Sequence, residues 1–260
     1  MTAHVMPKPT TIVLKIKRQE RPDLKPYWEE FHLPYRPYMN VITCLQDIQK
    51  NPRTFDSRPT TPVTWEQSCL EEVCGSCSMV INGKVRQACS ALVDKLGDQI
   101  TLEPMAKFPV VRDLVVKRKS IFENFKRVKA WVPSGAEHSF DPDKKTGPGP
   151  KISPELAHMR YQMSKCMSCG CCIDACPQVN SKSDFIGAAP INQVRLFNTH
   201  PIGTELKHER LIALIQEGGI EDCGNAQNCV KVCPKGIPLV ESIIETNREI
   251  SLNLLSLWKK

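Results

Sequence analysis

The sequence lacks long apolar runs, and no stretch approaches the ~18 residues that a helix needs to span a bilayer. We therefore expect that the chain does not cross a membrane by itself. Its N-terminal residues, MTAHVMPKPTT, contain no apolar segment typical of a secretory signal, which favours a reducing compartment. The chain also has no Gly-x-Gly-x-x-Gly dinucleotide motif and no evident acid–base or nucleophile constellation. We expect no catalysis by the isolated chain.

Histidine is scarce and scattered. We expect each of the six histidines to lie at the surface or in ordinary packing rather than on a metal: His4, His32, His138, His158, His200 and His208.

Positive charge is concentrated in one segment. Residues 107–129 carry eight Lys or Arg against two acidic residues, and so hold +6 of the formal net charge of +7. We interpret this basic strip as a solvated helix face. The alternative is a docking surface for an acidic partner or for anionic lipid. Nucleic acid fits poorly, because no groove-reading motif accompanies the strip.

Cysteine, in contrast, is abundant, and eleven of the thirteen cysteines fall into three runs. The first run is Cys69-x4-Cys74-x2-Cys77 followed by Cys89, the plant-ferredoxin spacing for a [2Fe–2S] cluster. The second is Cys166-x2-Cys169-x2-Cys172-x3-Cys176-Pro177, the run of bacterial two-cluster ferredoxins. The third, Cys223-x5-Cys229-x3-Cys233-Pro234, repeats the second but has Ala226 in place of Cys169.

The missing cysteine predicts which clusters the second and third runs hold. In two-cluster ferredoxins the fourth cysteine of each run ligates the other cluster. A [4Fe–4S] cluster would then be bound by Cys166, Cys169, Cys172 and Cys233. Only three cysteines remain for the other site, which predicts a [3Fe–4S] cluster bound by Cys176, Cys223 and Cys229. Cys44 and Cys171 stay outside this set, and we expect both to be small buried apolar residues.

Zinc is the main alternative to iron, since Cys-x2-Cys pairs commonly bind zinc in tetrahedral sites. Two Cys-Pro steps, an interlocked repeat and a separate upstream run are together poorly explained by zinc. A disulfide framework is less favoured still in a chain without an export signal.

The pattern of residues predicts an α+β protein. Residues 11–17 alternate as a half-buried strand, and residues 79–86 form a hairpin around Asn82-Gly83 that folds Cys89 back towards the first three cysteines. Gly75 is expected to have positive φ where the backbone curls round the cluster. Helical periodicity follows Met105 through about residue 130.

A Pro- and Gly-rich stretch after Pro133 is predicted to connect two domains. Beyond it we expect helices at 153–164, about 190–198, 205–217 and 237–258, with proline ending a helix at both Cys-Pro steps. The predicted domains are a [2Fe–2S] domain at 9–115, a connecting helix and linker at 116–150, and an all-α domain at 151–258. The all-α domain at 151–258 should lose much of its fold without metal.

These motifs resemble the iron–sulfur subunit of succinate dehydrogenase and fumarate reductase, respiratory complex II. The resemblance covers nearly the whole chain and includes the three cysteine runs and Phe185-Ile186-Gly187-Ala188. It implies an N-terminal β-grasp ferredoxin domain and a C-terminal bacterial-ferredoxin-like domain. It also implies an FAD-containing flavoprotein partner that oxidises succinate, a membrane cytochrome b anchor, and a quinone near the [3Fe–4S] cluster. Electrons would pass from FAD through [2Fe–2S], [4Fe–4S] and [3Fe–4S] to quinone, in the tricarboxylic acid cycle and respiratory chain. The chain would lie peripherally on the cytoplasmic face of the cell membrane.

The sequence departs from proteobacterial and mitochondrial members near the quinone. A tryptophan pair that follows the first Cys-Pro in those members is replaced by residues 178–181, and a frequent histidine is replaced by Gly224. We therefore assign no quinone-binding residue. The stretches 176–180 and 195–201 resemble Gram-positive-type enzymes, which implies menaquinone. Fumarate reduction and a relay for another flavoenzyme remain alternatives, although such relays often have two complete cubane sites.

Overall fold

The computed structural model describes residues 10–133 and 151–257, with side chains described to residue 253. The described residues form two compact units, divided between Lys117 and Arg118. The Pro- and Gly-rich connection falls mostly in 134–150, outside the described residues.

The first unit is built on a five-stranded mixed sheet. Its strands are β1 (Thr11–Arg18), β2 (Tyr27–Pro34), β3 (Ser78–Ile81), β4 (Lys84–Gln87) and β5 (Gln99–Glu103). They are ordered β2-β1-β5-β3-β4, with β1 and β5 parallel and the other neighbours antiparallel. Alternate residues of β1 are buried, because a half-buried strand turns every second side chain inward. The predicted strand and hairpin are therefore confirmed.

The core of this unit lies between the sheet and helix α1 (Val41–Lys50). The helix begins where the Asn40 side chain accepts a hydrogen bond from the Thr43 N–H, at 2.9 Å. Cys44 lies on its buried face, and burial raises the pKa of this thiol to about 12. Cys44 is therefore a buried apolar residue, as expected, and the sheet with its helix is the β-grasp arrangement. A short helix, α2 (Val93–Leu96), precedes β5.

The prediction of a helix from Met105 to about residue 130 is wrong over the first half of that range. Two short antiparallel strands, β6 (Val110–Arg112) and β7 (Val115–Val116), occupy that part, and helix α3 covers only Lys119–Arg127. The reason is a buried ion pair. Arg18 donates to both carboxylate oxygens of Asp113, at 2.9 and 3.2 Å, and Asp113 has a φ of +46°. A helix could not present Asp113 in that conformation, so a contact distant in sequence overrides the local periodicity.

The second unit is helical. After α3 come α4 (Pro154–Ser164), α5 (Cys171–Asp174), α6 (Ala188–Asn198), α7 (Lys207–Ile215), α8 (Asn228–Lys231) and α9 (Leu239–Leu257), with 3₁₀ turns at Gly203–Leu206 and Ile220–Asp222. The Ser153 side chain caps α4 by accepting from the Leu156 N–H at 3.2 Å. The four longer predicted helices are confirmed to within a few residues. Both Cys-Pro steps follow short helices, α5 and α8.

Asn192 in α6 connects two segments, α4 and α9, that lie next to the cysteines predicted to bind [4Fe–4S]. Its amide donates to the Met163 carbonyl in α4 at 3.1 Å, and its oxygen accepts from the Ser242 hydroxyl in α9 at 3.1 Å. All three residues are buried. Because α4 ends shortly before Cys166 and α9 begins shortly after Cys233, this bridge fixes two cysteine-bearing segments against one helix.

Candidate iron–sulfur cluster sites

The first site is a loop in the first unit. Cys69, Cys74 and Cys77 lie in this loop, and Gly75 has a φ of +77°, as expected. Leu70 and Glu72 also have positive φ, a strained conformation for residues with side chains, so the loop curls tightly. The β3–β4 hairpin then returns the chain, and the Ala88 N–H donates to the Cys77 carbonyl at 3.1 Å. The fold thereby brings Cys89 back beside Cys77 at the end of the loop.

Backbone N–H groups of this loop surround the thiols. The Cys69 Sγ accepts from the N–H groups of residues 71, 73 and 74, at 3.3–3.4 Å, and the Cys74 Sγ accepts from the Ser76 N–H at 3.4 Å. For Cys74, burial acts to raise the pKa, but hydrogen bonds from Cys69 and Ser76 outweigh it and lower the pKa to about 6. At Cys77 burial dominates and raises the pKa to about 12. The loop thus offers donors suited to thiolate and sulfide, which fits a bound cluster.

Gln87 and Ser78 stabilise the cysteine loop through two buried hydrogen bonds. The Gln87 amide donates to the Ser78 hydroxyl at 2.8 Å, which donates to the Gly75 carbonyl at 2.8 Å, while the Gln87 Oε1 lies 3.5 Å from the Cys77 Sγ. Gln87 is completely buried. Sequence reasoning missed it, although a glutamine at an inward position of a strand next to a cysteine loop was a usable signal.

The second site is a cavity in the second unit. It is lined by four cysteines from two distant segments: Cys166, Cys169, Cys172 and Cys233. Most of the other lining residues are apolar, among them Ile121 and Leu239, and Ser168 and Lys235 also line it. This is the set predicted from the spacing for a [4Fe–4S] cluster, and a site with four thiols and apolar walls fits that group.

The third site is a separate cavity in the same unit. Its only cysteines among the lining residues are Cys176, Cys223 and Cys229, and Ala226 lies in the same wall. The structure thus brings together the three cysteines predicted for the smaller cluster, and the methyl group of Ala226 offers no ligand.

The backbone shows that the two cysteine runs of this unit are a structural repeat. Helices α5 and α8 have four residues each and begin at Cys171 and Asn228, 57 positions apart. At the same spacing, Ser168 and Gly170 have positive φ in the first copy, as do Asn225 and Gln227 in the second. The second copy therefore keeps the backbone of the first and has Ala226 and Asn228 where the first has Cys169 and Cys171.

Burial and hydrogen bonds from neighbouring side chains shift the pKa values of the cysteines that line the four-thiol cavity. A hydrogen bond from the Cys171 side chain lowers the pKa of Cys169 to about 7 against the effect of burial. Burial raises the pKa of Cys172 well above its usual value, and raises that of Cys166 against a hydrogen bond from Gln193. Cys171 is fully buried, as expected. Its hydrogen bond to Cys169 and the hydrogen bond from Gln193 to Cys166 were not predicted.

Comparison with known proteins agrees with this geometry. Residues 13–123 match the family described as 2Fe-2S iron-sulfur cluster binding domain, and residues 162–237 match the 4Fe-4S dicluster domain. The chain is 54% identical over 247 residues to the succinate dehydrogenase iron-sulfur subunit of Bacillus subtilis, with 95% of each chain covered. The chain belongs to this family of iron–sulfur subunits.

More distant relatives include the fumarate reductase iron-sulfur subunit of Wolinella succinogenes, 30% identical over 88% of this chain and 92% of that one. A solved structure titled Mycobacterium smegmatis Sdh1 complex in the apo form shares the fold, with a TM-score of 0.74, 21% identity, and coverage of 94% of this chain and 96% of that chain. The matched domains are iron–sulfur domains, which removes the zinc alternative.

In this family member the basic strip is not one helix face. Only Lys119, Lys126 and Arg127 lie in α3, so the interpretation as a solvated helix face holds for that part alone. Lys119 pairs with Glu123 at 3.0 Å, and Arg127 donates to the Glu217 carbonyl. The remaining strip residues lie in strands and loops on either side of α3.

The described histidines line neither cavity of the second unit. His200 is the most constrained, since its Nδ1 accepts from the N–H groups of Ile202 and Gly203, both at 3.2 Å. Burial, followed by the charges of Arg160 and Arg210, lowers the pKa of His200. His4 and His138 lie outside the described residues. Within residues 10–133 and 151–257, no helix combines the length and apolar character needed to cross a bilayer.

Proposed function

We propose that this chain is the electron-transfer iron–sulfur subunit of a succinate:quinone oxidoreductase. The observation that carries the proposal is the sorting of the cysteines: four thiols line one cavity, three line another, and the loop of the first unit with Cys89 supplies a further four. This arrangement occurs in a chain 54% identical to a succinate dehydrogenase iron–sulfur subunit.

The proposed ligands are those of the sequence analysis. Cys69, Cys74, Cys77 and Cys89 hold [2Fe–2S]; Cys166, Cys169, Cys172 and Cys233 hold [4Fe–4S]; and Cys176, Cys223 and Cys229 hold [3Fe–4S]. When bound, these clusters supply one-electron carriers.

The protein's own contribution is the environment of each site. In the first unit, backbone N–H groups donate to the thiols of Cys69 and Cys74, and at Cys74 the hydrogen bonds favour the charged form. In the second, apolar side chains, among them Ile121 and Leu239, form much of the wall of the four-thiol cavity. Hydrogen bonds to sulfur, burial and charge are the factors by which a protein sets a cluster's potential. The chain therefore acts on electron flow through its cluster environments, and we propose no catalytic residue within it.

The three-thiol cavity supports a [3Fe–4S] cluster as the last carrier. Ala226 occupies the position at which the other copy has Cys169, so a fourth iron has no thiolate there. The proposed partner at this end is a membrane cytochrome b anchor with a quinone, which we propose to be menaquinone. At the other end we propose an FAD-containing flavoprotein. Membrane attachment on the cytoplasmic face would then come through partner subunits.

Metal analysis and electron paramagnetic resonance test this proposal. The purified complex should contain about nine non-haem irons per copy of this chain, from clusters of two, four and three irons, with the haem iron of the cytochrome counted separately. The air-oxidised protein should show the near-isotropic signal of an oxidised [3Fe–4S] cluster. A count near ten irons without that signal would contradict the assignment, and a colourless protein would refute all three clusters.

Fumarate reduction is the second candidate, because a 30% identical relative carries the name fumarate reductase. The higher identity to a succinate dehydrogenase subunit favours succinate oxidation. Assay of the intact complex in both directions with a quinone of low potential and one of higher potential separates the two. Co-purification identifies the flavoprotein and the cytochrome.

A further inference from the structure

The side chain of Gln178 lies directly over Gly224 at the wall of the three-thiol cavity. A Cβ atom placed on Gly224 would lie 2.3 Å from the Gln178 Nε2 and 3.1 Å from its Cδ, so the amide fills the space that any other residue would need. Gly224 does not have positive φ, so a side chain at this position would conflict with the Gln178 amide rather than with the backbone conformation. Gln178 and Gly224 both line the cavity.

This contact joins the two chain segments that supply the cavity's thiols. Gln178 follows Cys176 by two residues, and Gly224 follows Cys223 directly. The amide is therefore held between ligands from both copies of the repeat. Within the described part of the chain, no acceptor forms a hydrogen bond with the Gln178 side chain, although its main-chain carbonyl accepts from Asn180 at 3.3 Å. A half-buried amide with two N–H groups thus lies in the wall with its donors unused.

We propose that the Gln178 amide donates a hydrogen bond to the [3Fe–4S] cluster, and that Gly224 is present to give this amide its place. The inference rests on the proposed function, since it requires a three-iron cluster in this cavity. Cluster sulfides and thiolates are acceptors, and the Gln178 amide supplies N–H donors in the cavity wall that have no protein acceptor among the described residues. Gln178 is a cluster-contacting residue that the cysteine spacing does not reveal.

The hydrogen bond should raise the midpoint potential of the cluster. Reduction adds one negative charge, so a fixed donor stabilises the reduced cluster more than the oxidised one. Its loss should lower the equilibrium constant for reduction by up to about tenfold, which corresponds to about 59 mV for one electron. The direction follows from charge and does not depend on the identity of the quinone.

The test is a redox titration of the intact complex, followed by electron paramagnetic resonance. Gln178→Met keeps an unbranched side chain of similar length but removes the donor, and should lower the midpoint potential of the [3Fe–4S] signal. The potentials of the other two clusters should not change. Gln216→Met makes the same substitution in the same unit outside the cavity, and should leave all three potentials unchanged. An unchanged [3Fe–4S] potential in Gln178→Met would refute the proposal.

Gly224→Ala tests the geometry independently. The added methyl group collides with the end of a flexible side chain, so the amide should move away while the protein folds normally. The potential should fall as in Gln178→Met, and the double variant should fall no further than either single variant. Additive shifts, or an unchanged potential in Gly224→Ala, would show that the amide does not act from this position.

Gln178→Glu covers the case in which the methionine variant fails to assemble its cluster. The carboxylate has the same shape but only accepts hydrogen bonds and adds negative charge, so the potential should fall. An unchanged or higher potential would overturn the inference. Absence of the [3Fe–4S] signal from the wild-type complex is a different result, because it would overturn the proposed function and this inference with it.

Discussion

Replacing Ala226 with cysteine should convert the three-iron cluster to a four-iron cluster and add about one iron per chain. Ala226 lines the three-thiol cavity, and in the repeat it corresponds to Cys169, which lines the four-thiol cavity. In both copies the residues on either side of this position have positive φ. The backbone at Ala226 is therefore already the one that turns Cys169 towards its cavity, and the substitution requires no rearrangement of the loop.

The change in cluster type should lower the midpoint potential at this site, since cluster type is a main determinant of potential. Each 59 mV of decrease lowers the equilibrium constant for arrival of one electron by tenfold. Quinone reduction should therefore slow, while succinate oxidation by an artificial dye should stay largely intact, provided that the dye accepts electrons before this cluster. The assays are iron analysis, loss of the [3Fe–4S] signal, and the two activities side by side.

Two results would contradict this reasoning. If Ala226→Cys keeps nine irons and the original signal, the position does not face the cluster as the repeat indicates. If a verified four-iron variant reduces quinone at the wild-type rate, the potential of this cluster does not limit electron delivery. Ala226→Ser is the matched control, because a hydroxyl of similar size is a poor iron ligand and should leave the three-iron signal in place.

Three further outcomes are expected. Asp113→Asn keeps the residue's shape but removes its charge, and it should destabilise the first unit by roughly 3–5 kcal/mol, the cost of breaking a buried ion pair, because Arg18 is fully buried. Glu29 also contacts Arg18, so we expect a loss near the lower end of this range. A loss below about 1 kcal/mol in chemical unfolding would contradict the prediction. Removing iron with a chelator should abolish much of the helical circular dichroism of the second unit, and unchanged helicity would show that the helices fold without metal. Charge reversal at residues 117–119 should leave the subunit bound to its membrane partner, whereas disrupting the surface at 177–181 should release it. Release by charge reversal alone, reproduced by moderate salt, would instead identify the basic strip as an electrostatic anchor.

The sequence was most informative where chemistry restricts both residue type and spacing. Cluster ligation requires several thiolates within reach of one small inorganic core, so the interval between cysteines predicts which of them converge. The cavities group Cys166 with Cys233 and Cys176 with Cys223, as the interlocked rule predicted. Likewise, Asn82-Gly83 predicted a hairpin because type I′ turns require positive φ at both positions, and both have it.

The sequence was least informative where a contact distant in the chain decides the structure. The stretch after Met105 has helical periodicity, yet its first half forms strands because Asp113 is held by Arg18, 95 residues earlier. Asp113 also accepts from the Thr64 N–H at 2.8 Å, which attaches a third segment. Periodicity within a short window contains no information about such partners. Gln87 and Gln178 were missed for the same reason, since glutamine is ordinary until its neighbours in space are known.

The repeat in the second unit separates what the backbone determines from what side chains determine. Helices α5 and α8 and the positive-φ residues before them recur at one interval, so both copies present their loops in the same conformation. The two sites nevertheless differ in the number of thiols, because one copy has Cys169 and the other Ala226. A difference in cluster type can therefore arise by substitution without a change of fold. The Gln178–Gly224 contact extends this reasoning, since a residue without a side chain creates the space in which a neighbouring amide reaches the cavity wall.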